Sequence, residues 1–161
     1  MSYSVAASER AAVVAAFAPR IVTTAAQTLY TGVVDMSKFR RALVIATGNA
    51  YGGTALVKGL TVTLMDCSAH STAASTAFYT SAVTRVSGTA GEYSIVVAEC
   101  KAEDLGQYEP TAGTGGRYFK AGITTSTNVK NAYSVIVLGM DPRYGPGSDN
   151  DLSSVKSIGQ E

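Results

Sequence analysis

This chain is short of the residues that chemistry usually needs. Its 161 residues include one His, two Cys and no Trp. A structural zinc takes four ligands and a catalytic zinc three, so a lone imidazole does not supply a metal centre. No metal and no cofactor is expected. Cys67 and Cys100 have no CxxC spacing and no secretory context, so two buried thiols are expected rather than a disulfide. Charge is scarce too. Asp, Glu, Lys and Arg make up 16% of the chain, and the net charge is +1. Phosphate binding needs a clustered excess of Lys and Arg, so nucleic acid is not expected as a partner. The nearest basic cluster, Lys38, Arg40 and Arg41, is too small to carry an interface alone. No apolar run reaches the roughly 18 residues of a membrane span, so no membrane partner is expected. Glu9 and Arg10 precede an Ala-rich stretch, which makes a poor signal peptide; synthesis in the cytoplasm is expected.

What is present is a series of strand-like segments rich in Val, Ile, Thr, Tyr and Ala. A domain of this size buries roughly 70% of the surface its unfolded chain exposes, so it needs no staple. Its expected surface is Ser, Thr, Ala and Gly rather than mixed charge. Such surfaces are tolerated where partners cover them.

Residues Ser8 to Ala18 (SERAAVVAAFA) read as a helix. Ala has the highest helix propensity, Ser8 can cap, and Pro19 would end the segment. From Ile21 the pattern changes to strands. These are Gln27–Asp35, Phe39–Thr47, Leu60–Met65, Tyr79–Val86, Tyr93–Cys100, Arg117–Thr125 and Ala132–Met140. Leu60, Val62 and Leu64 alternate with Thr61, Thr63 and Met65, the mark of a half-buried antiparallel strand. Ala132–Met140 is the most apolar run and the candidate for a sheet centre. Ser68–Thr76 reads as a loop, and Lys101–Gly116 as a long irregular segment. The expected fold is all-β: a β-sandwich or jelly roll of seven to eight strands with a short N-terminal helix or arm. The expected organisation is an arm or helix over 1–20, a sandwich domain over 21–146 and a tail over 147–161.

Candidate chemistry is thin. Asp66, Cys67 and His70 fall within five residues of one another. A Cys–His nucleophile also needs an orienting third group and an oxyanion site, and neither is visible. Gly113, Gly115 and Gly116 resemble part of a phosphate loop, but they open a strand rather than a helix. The carboxylates Asp35, Asp66, Glu92, Glu99, Glu103, Asp104 and Glu109 fall at strand ends and in the long loop, where solvated carboxylates normally fall. No catalytic residue is expected, and the chain reads as a non-enzyme. Tyr is more informative: there are nine Tyr and four Phe. Tyr51, Tyr79, Tyr108, Tyr118 and Tyr144 sit beside small or turn-forming residues. They read either as a binding surface, for protein or for sugar, or simply as strand formers.

The order of elements resembles a class of tailed-bacteriophage virion proteins encoded beside the major capsid protein. The likeness rests on Val34 to Arg41 (VDMSKFRR), Gly91 to Val97 (GEYSIVV) and Ala102 to Gly106 (AEDLG). It extends to Arg117-Tyr118 at the head of a strand, and to Leu138-Gly139 followed by Pro142-Arg143-Tyr144 and Pro146. The resemblance covers most of Leu29 to Pro146 and carries no catalytic residue. It implies a head decoration, or cement, protein that docks on the outer capsid surface and staples neighbouring capsomers. It further implies assembly as a dimer or trimer, the major capsid protein as partner, and residence on the virion. The Ala-rich N-terminal segment departs from that family's pattern. Expected contact residues are Val13, Val14 and Phe17 in the arm, Tyr108 and Tyr118 around the long loop, and Tyr144 in the tail. The rival readings are a tail, connector or fibre-associated protein, and a carbohydrate-binding module.

Overall fold

Strand pairing, not helix propensity, organises the chain. A computed structural model describes residues 10–22, 27–51, 57–67, 75–86, 93–105, 117–125 and 130–143. Its strands in chain order are β1 (Ala11–Val22), β2 (Thr28–Tyr30), β3 (Val34–Asp35), β4 (Phe39–Tyr51), β5 (Val57–Cys67), β6 (Ser75–Val86), β7 (Tyr93–Lys101), β8 (Tyr118–Thr125) and β9 (Lys130–Pro142). A 3-10 turn, Ala102–Asp104, follows β7. Sheet A has the order β1-β9-β4-β7, and sheet B the order β2-β8-β5-β6 with β3 also on β8. All the pairings are antiparallel.

The order has a simple origin. β2 and β3 act as one interrupted strand against β8. The Thr31 N–H donates to Ala121 O at 2.8 Å, and the Ala121 N–H donates to Thr31 Oγ1 at 3.1 Å, which carries the ladder across the break. The chain is then an antiparallel ribbon folded back between β5 and β6. β5 meets β6, β4 meets β7, β2 and β3 meet β8, and β1 meets β9. Rolling the ribbon adds the pairs β4–β9 and β5–β8. That is a jelly roll, a β-sandwich with its strands shared between two sheets.

The inner faces of the sheets make one core. Phe119, Leu64, Ile123, Val44, Val62, Val135 and Val137 are fully buried beside Ala42, Ala46 and Ala121. Large side chains from one sheet need small ones opposite for the layers to interlock at native density. The many alanines therefore fill inward positions rather than a helix.

The helix expected over Ser8–Ala18 does not continue past Arg10: Ala11–Ala18 lies in β1. Ala exceeds other residues in helix propensity by only tenths of a kcal/mol per residue. Against that stand a backbone ladder to β9 and the burial of Ala12 and Ala15. Pro19 does not end the element. It falls within a register shift between Phe17 and Arg20, on an edge strand where a missing N–H is tolerated. Residues 11–18 thus belong to the sandwich and not to a separate arm. The expected tail over 147–161 lies outside the described residues.

Candidate functional site

The outward side of sheet A departs from a soluble-protein surface. Antiparallel partners share a face, so the register lays out rows across the strands. One row is Val97, Ile45, Ile136 and Ala16, from β7 through β4 and β9 to β1. The next is Glu99, Leu43, Leu138 and Val13. A third is Lys101, Arg41, Met140 and Ala11. On the other side of the apolar centre stand Ile95, Thr47 and Ser134, with the two hydroxyls 2.7 Å apart. Ile95 is 67% exposed, Val97 55% and Ile136 43%. Leu43, Ile45, Leu138 and Met140 are half-buried by their neighbours. Single exposed apolar residues are ordinary, but a contiguous patch across four strands marks an interaction surface.

The apolar rows end in a basic depression. Arg40, Arg41, Lys101 and Arg143 line it with Glu103 and Asp141, around a volume of about 480 Å³. Strand ends bring these groups together: Arg40 and Arg41 begin β4, Lys101 ends β7, and Arg143 follows β9. The Arg143 N–H donates to Lys38 O at 2.8 Å, which ties the end of β9 to the entry of β4. Arg41 is committed. Its Nε donates to Asp141 Oδ2 at 2.7 Å, and Glu99 lies 3.7 Å away on the other side. These carboxylates raise the Arg41 pKa further. Asp141 holds its position with φ of 52°, a left-handed conformation that Asp adopts more readily than most residues. Lys101 meets Glu103 at 4.0 Å, with both side chains at least half exposed. Arg40 and Arg143 form no ion pair with any described carboxylate.

Sheet B presents a different outward side. Thr28, Thr61, Thr63 and Thr124 lie on it, and the Thr28 and Thr124 hydroxyls are 3.0 Å apart. Lys120 is buried, with Nζ 4.6 Å from the centre of the Tyr30 ring. That ring also lies over Gly122, where an added Cβ would come within 2.8 Å of it. Near the same edge Arg117 grips Asp35 with two bonds, Nε to Oδ1 at 2.9 Å and a terminal nitrogen to Oδ2 at 2.6 Å. The Ser37 N–H adds a third bond to Oδ1 at 2.9 Å. The Arg117 bonds, aided by Ser37, hold the Asp35 carboxyl far below the usual carboxylate range.

Of the residues expected to make contacts, Val13 stands in the outward rows of sheet A, opposite Leu138. Val14 and Phe17 are half-buried against the core. Tyr118 is half-buried on sheet B, with the Arg117 guanidinium 5.1 Å from its ring centre. Sheet A and sheet B thus separate Val13 from Tyr118. Tyr108, Tyr144 and His70 lie outside the described residues. Tyr30 and Tyr79 are both exposed, but they belong to β2 and β6 at opposite edges of sheet B.

Asp66 is not a solvated strand-end carboxylate, because it is fully buried together with Cys67. It faces the core beside Phe119's register position and lowers the acidity of Cys100 across the sandwich. Burial first, then the charges of Asp104, Asp66 and Glu99, push the Cys100 thiol up to about 12. A thiol so protonated is a poor nucleophile. Cys67 and Cys100 are both buried thiols. Among the described residues no three His, Cys, Asp or Glu side chains gather as a metal site. No helix among them is long and apolar enough to cross a membrane.

The outward rows and the basic depression were not assembled by sequence reasoning. A signal for the rows was present in Leu43-Val44-Ile45, Ile95-Val96-Val97 and Val135 to Leu138, which stay apolar on both parities of the strand. An antiparallel strand wetted on one side should alternate. No family model and no curated protein matches the chain.

Proposed function

We propose that this chain is a non-enzymatic virion structural protein that binds the outer surface of a phage capsid and staples neighbouring capsomers. The observation that carries the reading is the contiguous apolar outer face of sheet A. A freely diffusing domain has no use for Ile95, Val97 and Ile136 in solvent. A protein that lives against a lattice does, since repeated weak contacts add through effective concentration. Two further points support it. The jelly roll is a fold of viral capsid proteins as well as of lectins, a fold-level analogy only. The sequence resemblance to head decoration proteins points the same way. In this reading the protein acts as a dimer or trimer on the virion, with the major capsid protein as its partner. It needs no metal, cofactor or catalytic group.

The test is addition of the purified protein to capsids of the encoding phage that were prepared without it. Saturable binding, with a higher temperature of capsid disruption, is expected. Capsids that neither bind the protein nor gain heat resistance would refute the reading. A tail or connector role would appear instead as density at the neck or tail in electron micrographs of the particle. The sugar-binding alternative has less support, because the exposed Tyr30 and Tyr79 do not share one platform.

A further inference from the structure

We propose that the outer face of sheet A and its basic depression together dock one kind of surface: a protein patch that is apolar at its centre and acidic along one side. This rests on the capsid-binding reading and names the chemistry of the partner.

The shape of the site comes first. At the usual strand spacing and rise, four strands from Ile95 to Lys101 span a footprint of about 400 Å². Its centre carries Val97, Ile45, Ile136, Leu43 and Leu138, and no formal charge interrupts these five. Charge is confined to the Glu99–Lys101 end, where the depression begins.

A second copy of the chain is the poorer occupant. Two such apolar footprints face to face would bury about 800 Å² in total, below the roughly 1,200 Å² of a stable complex. Stacking the two copies with the strands in the same sense would also oppose the basic ends. A partner that covers both the rows and the depression gains area and meets cations whose charge the described carboxylates leave largely unpaired. Among the described residues Arg40 and Arg143 have no carboxylate within ion-pair range, Arg143 Nε donating instead to the neutral Phe39 O at 3.5 Å, and Lys101 has the exposed Glu103 at 4.0 Å. Arg41, held between Asp141 and Glu99, acts as a fixed wall between the two halves of the site. Guanidinium groups pair bidentately with carboxylates, so acidic side chains on the partner are the complement of this rim. The apolar centre then supplies most of the affinity, and the rim orients the approach and speeds it.

The experiment uses full-length protein and capsids of the encoding phage prepared without it. Four proteins are compared at two salt concentrations: wild type, Ile95→Lys/Ile136→Lys, Arg40→Glu/Arg143→Glu, and Tyr79→Lys on sheet B as the control. Their far-ultraviolet dichroism and melting temperatures establish that each is folded. The apolar pair is expected to weaken binding at least tenfold at both salt concentrations. The charge-reversed pair is expected to lower the association rate severalfold at low salt and to flatten the salt dependence. The control should bind as wild type does. Folded variants of both pairs that bind like wild type, while wild type binds well, would overturn the docking surface and leave the capsid reading standing. Wild type that does not bind at all would overturn both. If the apolar pair instead turns a sedimenting oligomer into a monomer with capsid binding unchanged, the face belongs to a second copy and the proposal fails.

Discussion

Sheets A and B share one core and differ in what they show to the outside. Their inner faces are interchangeable in character, with Val44, Val135 and Val137 from one and Val62, Leu64 and Ile123 from the other. Their outer faces are not. Where sheet B is described, its outward polar groups engage one another: Tyr30 lies over Gly122 and Lys120, Thr28 meets Thr124, and Arg117 grips Asp35. Sheet A leaves Ile95, Val97 and Ile136 uncovered. The hydrophobic effect acts equally on both sheets, so the contrast is not a matter of fold stability. It shows that a sandwich needs only its inner faces to hold together, and that the outer faces are free to serve other ends.

The comparison can be broken most severely at the common core. Phe119→Ala should destabilise the whole sandwich by about 3–5 kcal/mol, because the ring is fully buried between the sheets. Chemical denaturation should show both sheets unfolding in one transition. Two separate transitions would mean that the sheets are not a single cooperative unit.

The glycines give a sharper contrast. An added Cβ at Gly139, in sheet A, would come within 2.8 Å of both the buried Phe39 ring and Val14. At Gly122, in sheet B, it would press only on the Tyr30 ring, which is half exposed and can swing outward. Gly139→Ala should therefore cost about 1–3 kcal/mol by overpacking. Gly122→Ala should cost less, and thermal melts of the two variants should rank in that order.

The Asp35–Arg117 clamp tests sheet B alone. Folding lowers the Asp35 pKa below its unfolded value of about 3.9. The contribution is therefore full above pH 4 and is lost as the pH falls through the acid range. Arg117 is half exposed, so the clamp is discounted for solvent. Asp35→Asn should cost about 1 kcal/mol at pH 7. The gap between wild type and variant should narrow in melts at pH 3. A gap that is the same at both pH values would show that the charge is not what matters.

The smallest effect on stability is expected at the outer face of sheet A. Ile95→Lys/Ile136→Lys should change folding free energy by less than about 0.5 kcal/mol per site. A dye that binds exposed apolar surface should nevertheless lose fluorescence on the folded variant. A large stability loss would mean that these side chains serve the fold after all.

Much of this architecture was legible before the strands were placed. Phe39–Thr47, Leu60–Met65, Tyr93–Cys100 and Ala132–Met140 all fall within β4, β5, β7 and β9. Alternation and β-branched residues are local signals, and they survive folding. The reading of Ala132–Met140 as central also holds, since β9 lies between β1 and β4. β1 was misread because its deciding partner is remote: Ala11 pairs with Met140, and nothing in AAVVAAFA announces that. The depression was hidden for the same reason. Lys38, Arg40 and Arg41 look too few until the sheet brings Lys101 and Arg143 beside them. Asp66 shows the limit of position as a guide, since a carboxylate at a strand end can still be sealed inside.

The rolled ribbon also sets a timetable. Among the described strands β1 pairs with β9 alone, and the residues it joins are separated by about as much chain as the domain contains. Non-local pairing of this kind must close large loops before it is rewarded, which places jelly rolls among the slow folders, on the scale of milliseconds to seconds. A ribosome delivers residues at roughly 5–20 per second, so β1 waits several seconds for β9 to emerge. During that wait the Ala-rich strand has neither a ladder nor a core to join. Sheet A can be completed only after β9 has emerged, and its apolar outer face therefore takes shape as a finished surface late, when synthesis of the described strands is over.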